Sequence, residues 1–225
     1  MTLTREIRHE LLKKGWVDFE SDPDLSLAFI ASELGQPIPS RRGGPLVDRL
    51  TPMSREDARK FSMSASFGLG SFPYHTDGAY FRMPPRFVLL RMAPGFFSQR
   101  CTLLLDFLAL GLSKESMSIL FHDVWVVIGG KSPFLSSILG SLKREYSNGI
   151  LVRYDTCCMK PAHPTFHRSK EMIVDALRKS VPVRIHWSEK RTLVIDNWRI
   201  LHGREDAEVN DSNTRCLERV LVAAS

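Results

Sequence analysis

The sequence predicts a mainly β fold, a barrel or sandwich with flanking helices. Two observations predict it: strand-like runs outnumber helical ones, and they follow one another across short polar connections in an antiparallel-looking succession. An apolar share of 43% over 225 residues is enough for one sizeable core. We therefore expect a single domain spanning 1–225, in which residues 1–70 supply helices and loops that pack on a β core, with helical inserts, formed by residues 71–225.

Residues 4–14 place Ile7, Leu11 and Leu12 at helical spacing with Gly15 just past the end, which predicts a short amphipathic helix with a glycine stop. Residues 16–19 read as a strand. Ser21-Asp-Pro23 opens the next helix with a cap and an early proline, and its apolar pattern runs through Leu27, Phe29, Ile30 and Leu34 to Gly35. From 36 to 70 turn residues dominate, with Pro37, Pro39, Gly43-Gly44-Pro45, Pro52 and a small-residue run at 62–66, and one strand at 47–50. A loop this long inside a domain is a lid over a pocket or a surface excursion.

Residues 86–93 and 101–106 are apolar enough to be buried strands, and Ser113 caps a helix that runs through Leu120 and Phe121. Residues 124–128 and 149–154 are strand-like, 161–166 is loop, and 168–177 is helical with Met172, Ile173, Ala176 and Leu177 on one side. The last third is the most regular: 181–187, 192–196 and 214–223 are three strands.

Charge and cysteines narrow the function classes. The balance of 31 Lys and Arg against 25 Asp and Glu gives +6 and a pI near 9.3, a mild preference for anionic ligands. The basic residues are scattered and form no basic helix with interleaved aromatics, which disfavours a nucleic-acid partner. Cys101, Cys157, Cys158 and Cys216 lack C-x-x-C spacing and read as reduced thiols. No apolar leader or run of ~18 apolar residues is present, so we expect a cytoplasmic protein without a membrane partner.

The chemistry concentrates at Phe72-Pro-Tyr-His75-Thr-Asp77-Gly-Ala-Tyr80. About one His-x-acid spacing is expected by chance at this composition, so the spacing alone proves little. In an extended segment, however, residues i and i+2 share a face, so His75 and Asp77 can reach one ion while Thr76 points away. Together with His202 they make the two-imidazole, one-carboxylate set of a mononuclear non-haem iron(II) site. Taken alone, His202 reads equally well as a core histidine. Arg215 and Arg219 lie four apart in the expected final strand, where a buried guanidinium needs an anionic partner. Surface arginines on an edge strand are the alternative. Arg153, Asp155 and Tyr80 are candidate substrate contacts, although a structural ion pair or core packing explains them as well. His163 and His167 have helical metal spacing, but Pro161 and Pro164 break that helix and argue against a second metal.

Five pieces in order carry a family resemblance: His75-Thr-Asp77-Gly, Pro84-Pro85, Thr102 in Cys-Thr-Leu-Leu-Leu-Asp, Asp196-Asn-Trp-Arg-Ile-Leu-His202-Gly-Arg204, and Arg215-x-x-x-Arg219. From about residue 72 onward the chain resembles the taurine dioxygenase and clavaminate synthase-like group of iron(II)/2-oxoglutarate-dependent oxygenases. The resemblance implies a double-stranded β-helix, a jelly-roll core, whose mouth holds iron(II) on His75, Asp77 and His202. It implies that Thr102 and Arg215 hold the distal carboxylate of 2-oxoglutarate and that Arg219 lies near the cosubstrate or an anionic substrate group. Dioxygen is the other cosubstrate, and the products are succinate, carbon dioxide and an oxidised small molecule. Retention of Asp77 points to hydroxylation or a related oxidation, since related halogenases lack that carboxylate. The expected substrate is amino-acid-like or a natural-product intermediate, with an acidic group in keeping with the net charge and Arg219. Two other readings stay open: a non-catalytic jelly roll that senses a ligand, and a nucleic-acid demethylase favoured by the pI alone.

Overall fold

The computed structural model describes residues 3–59, 62–128, 138–147, 149–208 and 211–224. The Thr4 hydroxyl accepts the Ile7 N–H and caps α1 (Arg5–Lys14), which ends at Gly15 in the left-handed region with φ 80. β1 (Trp16–Glu20) follows. The next helix starts later than its sequence suggests. Asp22 accepts the Asp24 N–H in a local turn, which competes with capping, and Ser26 instead caps α2 (Leu27–Ser32).

Apart from residues 60 and 61, the stretch 36–70 has the expected strand, β3 (Asp48–Leu50), and two elements its turn residues do not suggest, β2 (Pro37–Ile38) before it and α3 (Met63–Phe67) after it. Next come β4 (Phe72–His75), β5 (Phe87–Met92) and β6 (Ser98–Asp106), then α4 (Lys114–His122) with the expected Ser113 cap. β7 (Trp125–Val127), β8 (Ile138–Gly140), β9 (Lys143–Tyr146), β10 (Gly149–Val152) and β11 (Met159–Pro161) are short pieces, of which β8, β9 and β11 have no strand signal in the sequence. The chain ends with α5 (His167–Lys179), β12 (Val183–Trp187), β13 (Arg191–Asp196), β14 (Ile200–Arg204), α6 (Asp211–Thr214) and β15 (Leu217–Val222). The last strand thus begins at Leu217, so Arg215 precedes it and does not share a strand face with Arg219.

Two antiparallel sheets organise the molecule. The larger has the order β1-β13-β5-β15-β2 with β3 also on β15, and the smaller runs β12-β6-β14-β4. Val88, Leu90, Leu193, Ile195, Leu217 and Leu221 of the larger sheet pack against Leu104, Ile185, Trp187 and Ile200 of the smaller. Alternation along the strands sends Leu89, Val194, Val220 and Val222 to the other face, where they meet Ile7 and Leu11 of α1 and Leu27 and Ile30 of α2. On the outer face of the smaller sheet, Leu105 and Leu201 join Leu120, Trp125 and Ile173 from the segment between β6 and β12. The architecture is therefore mainly β, with several sheets and few helices. No described helix is long and apolar enough to cross a membrane.

One edge feature bears on the site. β2 and β3 both pair with β15, Ile38 opposite Leu221 and Asp48 opposite Arg219. Residues 39–47 therefore leave the sheet opposite Val220 alone, with both ends of the loop fixed by backbone pairing.

Burial separates two leucines sharply. Leu193 has no exposed surface, whereas Leu12 is 73% exposed. Leu193→Ala should destabilise the fold by about 2–5 kcal/mol in a denaturant titration, and Leu12→Ala should stay within about 0.5 kcal/mol of the native chain.

Candidate metal centre

β4 delivers His75 at its last residue, and β14 delivers His202 directly opposite it in antiparallel register. The two imidazole centroids are 4.4 Å apart. Asp77 follows two residues after His75, in the turn just past the end of β4 and not on the extended strand that the sequence suggests, and its Oδ2 stands 3.8 Å from His202 Nε2. One ligand atom from each of His75, Asp77 and His202 lies within 4.8 Å of the others, and all three residues are buried. Among the described residues this is the one such group of histidine, cysteine and acidic side chains.

Two of the three candidate ligands, His75 and Asp77, are held by hydrogen bonds, whereas His202 Nδ1 is buried without a hydrogen-bond partner among the described residues. His75 Nδ1 donates to the Pro73 carbonyl at 2.9 Å, which leaves Nε2 available to a metal. Asn197 secures the Asp77 backbone from both sides: its Oδ1 accepts the Asp77 N–H at 2.7 Å, and its Nδ2 donates to the carbonyls of Asp77 at 3.0 Å and Pro85 at 2.9 Å. Gly78 then turns at φ +64, where a Cβ would meet Pro85 Cδ at 2.7 Å, so both conformation and space require glycine. Arg219 Nη1 donates to Asp77 Oδ1 at 3.0 Å, leaving Oδ2 as the oxygen beside His202.

The electrostatics suit a dication. Burial, reinforced by the neighbouring His75, pushes the His202 pKa down to about 3 against the pull of Asp77, so its imidazole stays neutral. Burial alone would raise Asp77, but the charge and hydrogen bond of Arg219 hold its carboxyl below the usual range. Two imidazoles and one ionised carboxylate are the donor set that a non-haem iron(II) site uses, and the residues fit that ion.

β14 also connects the His202 end of the site to Arg204, whose surroundings include Thr102 and the Arg215 charge. Arg215 is 4% exposed and its Nε has no hydrogen-bond partner, while burial lowers its pKa to about 10. Arg204, opposite Thr102 in the β14–β6 register, feels the Arg215 charge. Arg204 itself is engaged: its Nη2 donates to the carbonyls of Gly68 and Gly70 at 3.0 and 2.7 Å, and its guanidinium stacks 3.7 Å over Phe72. The Thr102 hydroxyl accepts the Trp187 indole N–H at 3.1 Å, so its own proton remains free to donate.

The remaining sequence candidates sit differently. Arg153 spends its guanidinium on backbone carbonyls, with Nη1 on Ala79 and Phe81 and Nη2 on Arg82, and so clamps the turn after the ligand strand. Asp155 Oδ1 accepts the Cys157 N–H at 2.7 Å, within its own turn. Tyr80 is 38% exposed, donates from its hydroxyl to the Ser40 carbonyl at 2.9 Å, and has its pKa raised by burial and by the neighbouring Asp77 charge. Arg219 has both Nη atoms on carboxylates, the second on Asp48 Oδ2 at 2.9 Å. His163 Nδ1 meets Thr165 in a local turn. Two residues of the site escape sequence reasoning. Asn197 lies inside the Asp196-to-Arg204 run that carries His202, whereas Asp48 falls in the expected 47–50 strand with nothing to mark it as part of a site.

No family model matches the sequence, and no curated protein matches it. Solved structures do. An asparagine oxygenase in complex with Fe(II), 2S,3S-3-hydroxyasparagine and succinate aligns with TM-score 0.73 at 15% identity, over 98% of this chain and 80% of that one. The non-haem iron oxygenase OrfP in complex with Fe and α-ketoglutaric acid aligns with TM-score 0.74 at 20% identity, over 98% and 78% of the respective chains. OrfP in complex with Fe, succinate and (3S)-hydroxy-L-Arg gives TM-score 0.72 at 21% identity, over 98% and 79%. These neighbours are iron(II)/2-oxoglutarate oxygenases, the class that the sequence resembles. At such identities the likeness establishes architecture, and the chain has the fold of the non-haem iron oxygenases.

Proposed function

We propose that the protein is an iron(II)- and 2-oxoglutarate-dependent oxygenase that hydroxylates a C–H bond of a small amino-acid-like substrate. The observation that carries this reading is the convergence of a neutral His202, His75 and an ionised Asp77 within 4.8 Å in a buried site. The fold neighbours bound to hydroxyasparagine and hydroxyarginine support the substrate class. In this reading the two sheets are the halves of a double-stranded β-helix, and residues 1–225 act as one domain.

When bound, iron with 2-oxoglutarate and dioxygen supplies oxidative decarboxylation to succinate and carbon dioxide and the oxidising power to hydroxylate a C–H bond. The chain's own residues do the rest. His75, Asp77 and His202 would hold the ion through two imidazole nitrogens and one carboxylate oxygen. Arg215 and Thr102 anchor the distal carboxylate, Arg215 as the charge and Thr102 as a directional donor. Arg153 and Asn197 keep the turn between Asp77 and Pro85 fixed, so the ligand carboxylate does not swing. Tyr80, partly exposed beside Asp77, stands where it can contact a substrate.

Three measurements test this. Under anaerobic conditions, iron(II) plus 2-oxoglutarate should give a weak visible charge-transfer band that His75→Ala and Asp77→Ala abolish; a folded native chain without the band would defeat the assignment. Arg215→Ala should weaken 2-oxoglutarate binding by roughly 10- to 100-fold in a titration of that band, the loss of a charged hydrogen-bonding partner. Aerobic succinate release should rise at least about tenfold over the uncoupled rate with an L-amino acid or a close derivative in a substrate panel. A protein that binds iron and 2-oxoglutarate but never forms succinate would be a ligand sensor instead.

A further inference from the structure

The candidate iron ligand Asp77 is the first member of a buried chain of alternating charges. Arg219 bridges it to a second carboxylate, donating from Nη1 to Asp77 Oδ1 at 3.0 Å and from Nη2 to Asp48 Oδ2 at 2.9 Å. Asp48 is 7% exposed and lies opposite Arg219 in the β3–β15 register, so backbone pairing brings the two side chains together. Its other oxygen accepts from Arg41 Nη1 at 2.9 Å, but the Arg41 side chain is 42% exposed and water screens its charge. Burial alone would raise the Asp48 pKa, yet the hydrogen bonds from Ser40 and Arg219 and the Arg219 charge hold it low, so it stays an anion. The same segment is tied to the site a second time, through the Tyr80 hydroxyl on the Ser40 carbonyl.

Arg219 is also a competitor. A guanidinium bonded to Asp77 draws electron density from the same carboxylate that a dication needs, and its charge repels that dication. With the Asp48 carboxylate in place, the cation is shared between two anions and its net field at Asp77 is reduced. Without it, the whole of that charge would fall on Asp77.

We propose that Asp48 is a positioning residue for the metal ligand Asp77, acting through Arg219: it neutralises the guanidinium so that Asp77 can bind a dication, and it couples the 39–47 loop to that ligand. The proposal rests on the iron-site reading above and adds to it a residue remote in sequence from every ligand. Loop 39–47 is fixed at Ile38 and Asp48, so a displacement of its base would change the charge balance on Asp77.

The test is an anaerobic calorimetric titration with iron(II) alone, without 2-oxoglutarate. The native chain should bind; if it does not, the iron-site reading itself fails, and the Asp48 proposal with it. Asp48→Asn should weaken iron(II) affinity roughly tenfold. Adding Arg219→Gln to Asp48→Asn should recover the affinity to within about threefold of the native chain, because the uncompensated cation is gone. A purely structural role for Asp48 would give no recovery. If Asp48→Asn is too unstable to titrate, the double variant carries the test alone. Native affinity in folded Asp48→Asn, or a folded double variant that binds iron(II) tenfold more weakly than the native chain, overturns the proposal.

Discussion

The site depends on one cross-strand pair, His202 of β14 opposite His75 of β4. Strand side chains alternate, so a slip of one residue would turn His202 to the other face and leave His75 and Asp77 without a third donor. The register is defended locally. A Cβ at Gly203 would lie 2.8 Å from the Phe72 carbonyl oxygen, so only glycine lets β14 approach β4 this closely. The pairing shifts between His202 and Arg204, and that irregularity frees Arg204 to reach the carbonyls of Gly68 and Gly70. The strand that presents one candidate ligand thus also ties down the segment that leads into the other.

Four buried or nearly buried arginines show how the same side chain is put to different uses. Arg153 is satisfied by backbone carbonyls, Arg204 by carbonyls and the Phe72 ring, and Arg219 by two carboxylates. Burial depresses the pKa of Arg153, Arg204 and Arg215, and Arg204, Arg215 and Arg219 each leave Nε without a partner; Arg215 differs in that no carboxylate or carbonyl among the described residues is bonded to its guanidinium. A guanidinium removed from water needs an anion or a set of acceptors. That unmet need is the physical reason for proposing Arg215 as the anchor for an incoming carboxylate.

Local signals carried much of this in the sequence. The spacing of His75 and Asp77 marked the pair, although Asp77 reaches the site from the turn after β4 and not from an extended strand, and the apolar runs around Val88 and Val194 marked two interior strands. Non-local facts were not legible. The Asp77–Asn197 bonds span 120 residues, Arg219–Asp77 spans 142 and Arg219–Asp48 spans 171, and each depends on a register that no short window contains. Arg215 falls outside its expected strand for a different reason: the polar turn of α6 intrudes at Asp211–Thr214, and the strand begins only at Leu217. Likewise, β1 pairs with β13 and β2 with β15, so the first 70 residues complete the large sheet as well as packing on it.

The placement of Asn197 explains why the run from Asp196 to Arg204 is worth more than the histidine at its centre. Asn197 is wholly buried and satisfies three polar groups, two on Asp77 and one on Pro85. Its neighbour Trp198 donates its indole N–H to the Pro84 carbonyl at 3.1 Å. Asp196 pairs with Arg86 at 2.8 Å, on the residue that follows Pro85. Successive side chains of one turn therefore grip successive residues of the segment that closes the ligand loop. The two prolines stiffen that segment and offer carbonyls without competing N–H donors. The ligand strand and the distant β13–β14 turn are in this way one construction, so the orientation of Asp77 is set as much from residues 196–198 as from its own strand.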